Sequence, residues 1–195
     1  MAYPFIVIEG IDGSGKAGQA QMVINFIKRL RVRHFLHKYP TEEAKRVFAH
    51  LEGKKNVPQD ELFEEFLNDI KNSQEKLNAD LLKGWVVSDR YCHSTAAYQG
   101  VGGKLGERMR EIEREGLLKP NMVFWLDLSV EEAMKRKAGQ KSLDKHEADA
   151  KLLLEVRENY EKLYANSFMA GQWHRIDAAQ ESKKVFEQIK KKLEF

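Results

Sequence analysis

Chemistry concentrates in two short stretches. The first, "EGIDGSGKAGQ" from Glu9 to Gln19, sets Gly10, Ile11, Asp12, Gly13, Ser14, Gly15 and Lys16 in an order that suits a phosphate. Glycines let the backbone turn tightly and aim its N–H groups at an anion. The helix that follows adds its positive end, and the lysine reaches the outer phosphates. Where such loops carry Ser or Thr to help hold Mg²⁺, this one has Ala17, followed by Gly18. Ala17 removes one metal ligand but no backbone donor, so phosphate binding is expected to survive while metal positioning weakens. The alternative is a glycine-rich turn without a ligand; the lysine and the flanking strand and helix patterns argue against it. Asp12 would repel phosphates unless it faces Mg²⁺ or a sugar hydroxyl; a purely turn-forming aspartate is the alternative.

The second stretch is "SDRYCHSTAAYQG". Asp89 ends an apolar run, at the place where ligands collect in open α/β sheets. There it can orient Mg²⁺ or its waters. Arg90 can grip a phosphate with its planar fork. Cys92 and His93 read as packing residues rather than catalysts.

These groups need a frame. Phe5–Ile8, Trp85–Val87 and Met122–Leu126 are continuous apolar runs, as expected for strands buried on both faces; His34–Tyr39 and Trp173–Ile176 are weaker strand candidates. Between them lie amphipathic segments. Met22, Val23, Phe26, Ile27 and Leu30 mark one helical face, and Val185, Phe186, Ile189 and Leu193 another. Pro58 suits the start of a long helix that Gly84 ends, and Ser129 with Glu132 resembles a capping box. The order reads as α/β: strand–helix repeats around a parallel sheet of about five strands with helices on both faces, one domain over residues 1–195. The polar, basic segment at 137–146 reads as a mobile loop between helices.

A chain of 195 residues with 42% hydrophobic and 32% charged residues can bury a full core. Its net charge of +3 is too small to imply a nucleic-acid partner, and the basic run Lys28–Lys38 reads as a solvated surface, with no aromatic platform beside it. A single cysteine cannot form an internal disulfide, which points to a reducing compartment. No run approaches the roughly 18 apolar residues of a membrane span. The N-terminus enters an apolar run at once, so a cytoplasmic protein is expected.

"FIVIEGIDGSGK", "DRYCHSTAAYQG", "LDKHE" and "WHRIDAAQ" together resemble the thymidylate kinase family, P-loop enzymes that move a phosphoryl group from ATP to dTMP. The resemblance covers nearly the whole chain and implies the P-loop kinase fold with a short lid at 137–146. It implies ATP·Mg²⁺ held by residues 10–18 with Arg136, and the metal by Asp89 and Asp12, partly through water. Asp12 would also lie near the acceptor sugar. Tyr39 and Pro40 would line the acceptor pocket, Phe66 would stack on the thymine, and Ser94 and Thr95 would bond the base edge. Tyr98 would press on the sugar and favour deoxynucleotides, Arg90 would hold the acceptor phosphate, and Gln99 completes the acceptor motif. With Gly13 in the loop, the transition-state cation would come from Lys145, with Arg136, Lys137 and Lys141 nearby. A homodimer is implied as well, and the long helix from Pro58 carries enough apolar positions to serve both core and partner.

Besides Ala17-Gly18, which replace the usual hydroxyl pair after the lysine, the chain departs from the pattern at three places. Lys145 stands where arginine is usual, a point charge in place of a fork. Ile70 stands where the family carries an arginine that bonds the base, unless Lys71 substitutes. "TEEAKRV", after Tyr39-Pro40, lacks an arginine close to the proline. The expected activity is phosphoryl transfer from ATP to dTMP. The alternatives are a kinase for another deoxynucleotide and a nucleotide-binding protein with little transfer activity.

Overall fold

The computed structural model describes residues 3–137 and 143–193, with side chains over 3–136 and 149–193. Five parallel strands form one sheet: β1 (Phe5–Glu9), β2 (His34–Lys38), β3 (Trp85–Asp89), β4 (Met122–Asp127) and β5 (Gln172–Asp177), in spatial order β2-β3-β1-β4-β5. The apolar runs of β1, β3 and β4 occupy the middle, where helices cover both faces and every side chain of β1 is buried. The weaker runs of β2 and β5 form the two edges, which explains their mixed composition.

The chain leaves β1 towards β2 and β3 on one side, then crosses to β4 and β5 on the other. The C-terminal end of β1 is therefore the switch point of the sheet, where a crevice opens. Ile8 pairs with Asp89 and Glu9 with Trp125, so the glycine loop and the Asp89-Arg90 turn emerge side by side.

The helices are α1 (Lys16–Arg29), α2 (Lys45–Leu51), α3 (Gln59–Asn72), α4 (Gln74–Leu81), α5 (Cys92–Gln99), α6 (Leu105–Arg114), α7 (Val130–Lys137), α8 (Leu143–Ala165) and α9 (Ser182–Leu193). The expected long helix from Pro58 is broken in two at Ser73. There the Ser73 hydroxyl donates to the Ile70 carbonyl at 2.7 Å, and the Gln74 side chain donates to the same oxygen at 2.9 Å, replacing the regular ladder. The buried face of α1 is also rotated from the expected one. Ala20, Val23, Ile24 and Ile27 face the core, Phe26 packs edge-on against Phe186 of α9, and Leu30 is half exposed beyond the helix end. The Ser129 cap is present, its hydroxyl accepting from the Glu132 amide at 3.2 Å. Among the described residues no helix is long and apolar enough to cross a membrane.

Candidate active site

The glycine loop owes its shape to close packing. Gly10 has φ 143°, and a β-carbon there would lie 2.6 Å from the Leu126 carbonyl; at Gly13 one would lie 2.9 Å from the Ala133 carbonyl. Gly15 caps α1 with φ 91°, a left-handed value that costs glycine little. No acidic residue occupies the first turn of α1, so its positive end faces the loop unneutralised. The Ser14 amide bonds the Ile11 carbonyl at 3.2 Å, and the buried Ser14 hydroxyl has no hydrogen-bond partner. Ala17 and Gly18 are exposed.

Lys16 is buried under this loop. Its Nζ donates to the Ile11 carbonyl at 2.8 Å and lies 4.0 Å from Asp12. Burial, helped by the Arg90 charge and opposed by Asp12, Asp89 and Glu9, brings its pKa down to about 7.

Asp89 and Arg90 stand beside the loop. Asp89 is buried, its Oδ1 has no hydrogen-bond partner, and burial raises its pKa. Arg90 sits at φ 70°, a strained position for a non-glycine residue. Four hydrogen bonds hold it there. Its amide donates to the Ile8 carbonyl at 3.0 Å, its carbonyl accepts from the Ser88 hydroxyl at 2.6 Å, and its guanidinium bonds Asp12 and the Ser94 hydroxyl. The same guanidinium lies over the Tyr98 ring, 5.3 Å from its centre.

A cavity of about 250 Å³ opens next to Arg90. Tyr39 and the cis-linked Pro40 contribute to it from the loop after β2, and Phe66 from α3. Thr95, Tyr98 and Gln99 line it from α5, and Asp12 and Arg90 join it from the loop side. Every acceptor residue singled out from the sequence thus borders one cavity. Their partners add detail. The Tyr98 hydroxyl accepts from the Asp12 amide at 2.9 Å, tying α5 to the glycine loop. The Ser94 hydroxyl also borders the cavity, but it is engaged by Glu9, Arg90 and Tyr160. Lys71 does not stand in for an arginine at Ile70: it pairs with Glu115 at 2.7 Å. Arg46, in the segment after Pro40, pairs with Glu61 and Glu65.

Of the expected lid cations, Lys141 and the side chains of Lys137 and Lys145 lie outside the described residues. Arg136 donates to the Ala178 carbonyl at 3.0 Å, beside Asp177 in the "WHRIDAAQ" segment.

Two carboxylates escaped the sequence reading. Glu9 is fully buried and accepts from the Tyr91 amide at 2.8 Å, the Ser94 amide at 3.2 Å and the Tyr160 hydroxyl at 2.8 Å. A lone glutamate closing an apolar strand was its signal, since a buried charge needs partners. Asp69 borders the cavity and accepts from the Thr41 amide at 2.8 Å and from the Thr41 hydroxyl. No sequence pattern marked it.

Comparison with known proteins matches residues 8–189 to the family model described as thymidylate kinase. The chain belongs to the thymidylate kinase family. Among curated relatives, a thymidylate kinase of Alkalilimnicola ehrlichii is 31% identical over 97% of this chain and 91% of its own length. One of Brachyspira hyodysenteriae is 28% identical over 94% of this chain and 90% of its own length. One of Plasmodium falciparum is 26% identical, over 97% and 89%. The family resemblance expected from the loop and the "DRYCHSTAAYQG" stretch therefore holds over residues 8–189.

Proposed function

We propose that this chain transfers the γ-phosphoryl group of ATP to dTMP, giving dTDP and ADP. The observation that carries this reading is the Asp12–Arg90 pair. It joins the glycine loop to the cavity lined by Tyr39, Phe66 and Tyr98, so donor and acceptor phosphates would meet at one point. The loop amides and Lys16 hold the donor phosphates, and Arg90 holds the acceptor phosphate. Phe66 stacks on the base, and Tyr98 closes on the sugar. Transfer then depends on alignment and positive charge, which is most of what phosphoryl transfer asks of a protein.

The residues fit a divalent cation. Asp89 offers a buried carboxylate oxygen with no hydrogen-bond partner, beside the loop, and Asp12 is a second candidate ligand. Among the described residues no three His, Cys, Asp or Glu gather as a metal cage. The remaining ligands would be phosphate oxygens and water, the usual arrangement for Mg²⁺. Bound there, Mg²⁺ supplies charge neutralisation on the phosphates.

A coupled ADP-release assay across dTMP, dUMP, dCMP, dGMP and dAMP tests the proposal. Turnover with dTMP is expected. ATP binding without transfer to any of them would replace it with the nucleotide-binding reading, which Ala17 favours by removing a metal ligand.

The working unit we propose is a homodimer in the cytoplasm. The family resemblance supports the dimer, and the free, buried Cys92 suits a reducing compartment. The surplus apolar positions of α3 and α4 do not support it. Leu62, Phe63, Leu67, Ile70, Leu77 and Leu81 are buried within the chain, and Leu82 is exposed. Monomeric mass by light scattering at micromolar concentration would refute the dimer.

A further inference from the structure

The cavity carries charge at two places. Asp12 and Arg90 stand where the phosphates belong. The third charged lining residue is Asp69, on α3 one turn after Phe66. The lining also includes Tyr39, Leu51, Ile70 and Tyr91, and the two phenols are already engaged. Tyr39 bonds Ser73 at 2.6 Å, and Tyr91 bonds Gln74 and the Leu118 carbonyl. Among the described residues Arg90, bonded to Asp12, is the one cation that lines the cavity. Lys71 is held by Glu115, and Arg46 by Glu61 and Glu65.

A stacked base on Phe66 would bring an edge towards Asp69. A carboxylate has about four acceptor sites, and Thr41 uses two of them, so Asp69 can still accept from a ligand. It accepts but cannot donate. Thymine presents the O4 acceptor on that edge, which a carboxylate repels. Cytosine presents the N4 amino group there, and Asp accepts well from cytosine N4. We infer that this cavity also takes a cytosine deoxynucleotide, with Asp69 accepting from its exocyclic amino group. The inference rests on the reading of the chain as a nucleoside-monophosphate kinase, and names a second substrate class for that site.

The test compares dCMP with dTMP in the intact enzyme and in Asp69→Asn, by coupled turnover and, separately, by equilibrium dialysis of each nucleotide. Expected are binding and turnover of dCMP by the parent enzyme, and a fall of about tenfold in the dCMP-to-dTMP ratio in Asp69→Asn, the worth of one charge-assisted hydrogen bond. Because the readout is a ratio within each protein, partial loss of folding cancels. Asp69→Asn weakening both nucleotides equally would reduce Asp69 to an anchor for Thr41 and overturn the inference. So would dTMP binding without dCMP binding. If neither nucleotide is turned over, the kinase reading fails, and the dialysis ratio still decides whether Asp69 reads an amino group.

Discussion

Lys16 donates to the carbonyl of Ile11, only five residues before it and inside the loop that the lysine serves. Burial takes the ammonium out of solvent and the Arg90 charge adds to this, which is why its pKa falls to about 7 despite that contact. A bound polyphosphate would restore the charge.

ATP binding should therefore take up protons in a pH-dependent way. At pH 6 Lys16 is already protonated and adds little. At pH 8 the free loop is mostly neutral at this position, so binding should draw in nearly one proton, and affinity should fall as pH rises above 7. Calorimetry in buffers of different ionisation enthalpy measures this, with Lys16→Met as the baseline for the titration of ATP itself. Equal uptake in parent and variant at pH 8 would mean that Lys16 stays charged in the free loop. Stability moves with pH in the opposite direction. The folded pKa lies below the unfolded value, so the unfolded chain binds the extra proton, and stability should rise with pH between about 7 and 10.

Glu9 should hold the acceptor wall in place. Its carboxylate caps the start of α5 through the Tyr91 and Ser94 amides, and α5 carries Thr95, Tyr98 and Gln99 into the cavity. Burial alone would raise its pKa, but His93 and the Ser94 hydroxyl hold it below the ordinary value. Glu9→Gln keeps the shape but turns one acceptor into a donor facing N–H and O–H groups. A loss of about 1–3 kcal/mol in denaturant unfolding at neutral pH is expected, with a raised KM for the acceptor. The parent's contribution is present above the unfolded pKa and lost as pH falls through the lower folded value, so the difference between the proteins should shrink in acid. An unchanged unfolding midpoint at pH 7 would show that the amides find other partners.

Much of this was legible in the chain. The strands could be read because a parallel sheet buries its middle strands on both faces and leaves plain apolar runs such as "FIVIE". The site was legible because its donors are contiguous: one loop and one turn carry most of them. What could not be read depends on distant partners. Glu9 meets Ser94 across 85 positions, and Asp69 meets Thr41 through a fold that brings α3 beside the loop after β2. Helix α5 escaped because "CHSTAAYQ" is buried nearly all round and shows no apolar stripe. The break at Ser73 turned on a hydroxyl capturing one carbonyl, which apolar spacing does not encode.

Two glycines of the loop region should respond in opposite directions to alanine. At Gly10 a methyl group would meet the Leu126 carbonyl at 2.6 Å with φ at 143°, so Gly10→Ala must displace β4 or the loop. Loss of ATP binding and a clear fall in melting temperature are expected. At Gly18 a methyl group meets nothing within 4 Å, and the residue lies inside α1. Gly18→Ala should stabilise the fold by about 0.5–1 kcal/mol, the ordinary cost of a helical glycine. Thermal unfolding of both variants beside the parent decides it. Destabilisation by Gly18→Ala would mean that this position needs its freedom when the loop wraps a ligand.

Ala17 is exposed in the first turn of α1, next to Lys16 and on the side of the loop open to solvent. A threonine there would offer the hydroxyl that such loops use towards Mg²⁺. The backbone amides and Lys16 are untouched by the change, so ATP affinity should move little. Transfer should gain more, because the metal neutralises charge as the phosphoryl group moves. Ala17→Thr is expected to raise kcat about tenfold, equivalent to about 1.4 kcal/mol of barrier. It should also lower the Mg²⁺ concentration needed for half-maximal rate. Steady-state rates across a Mg²⁺ titration at saturating ATP and dTMP make the comparison. If kcat and the Mg²⁺ requirement both stay where they were, Asp89 and the phosphates already hold the metal as well as the reaction needs, and the missing hydroxyl is not what limits this site.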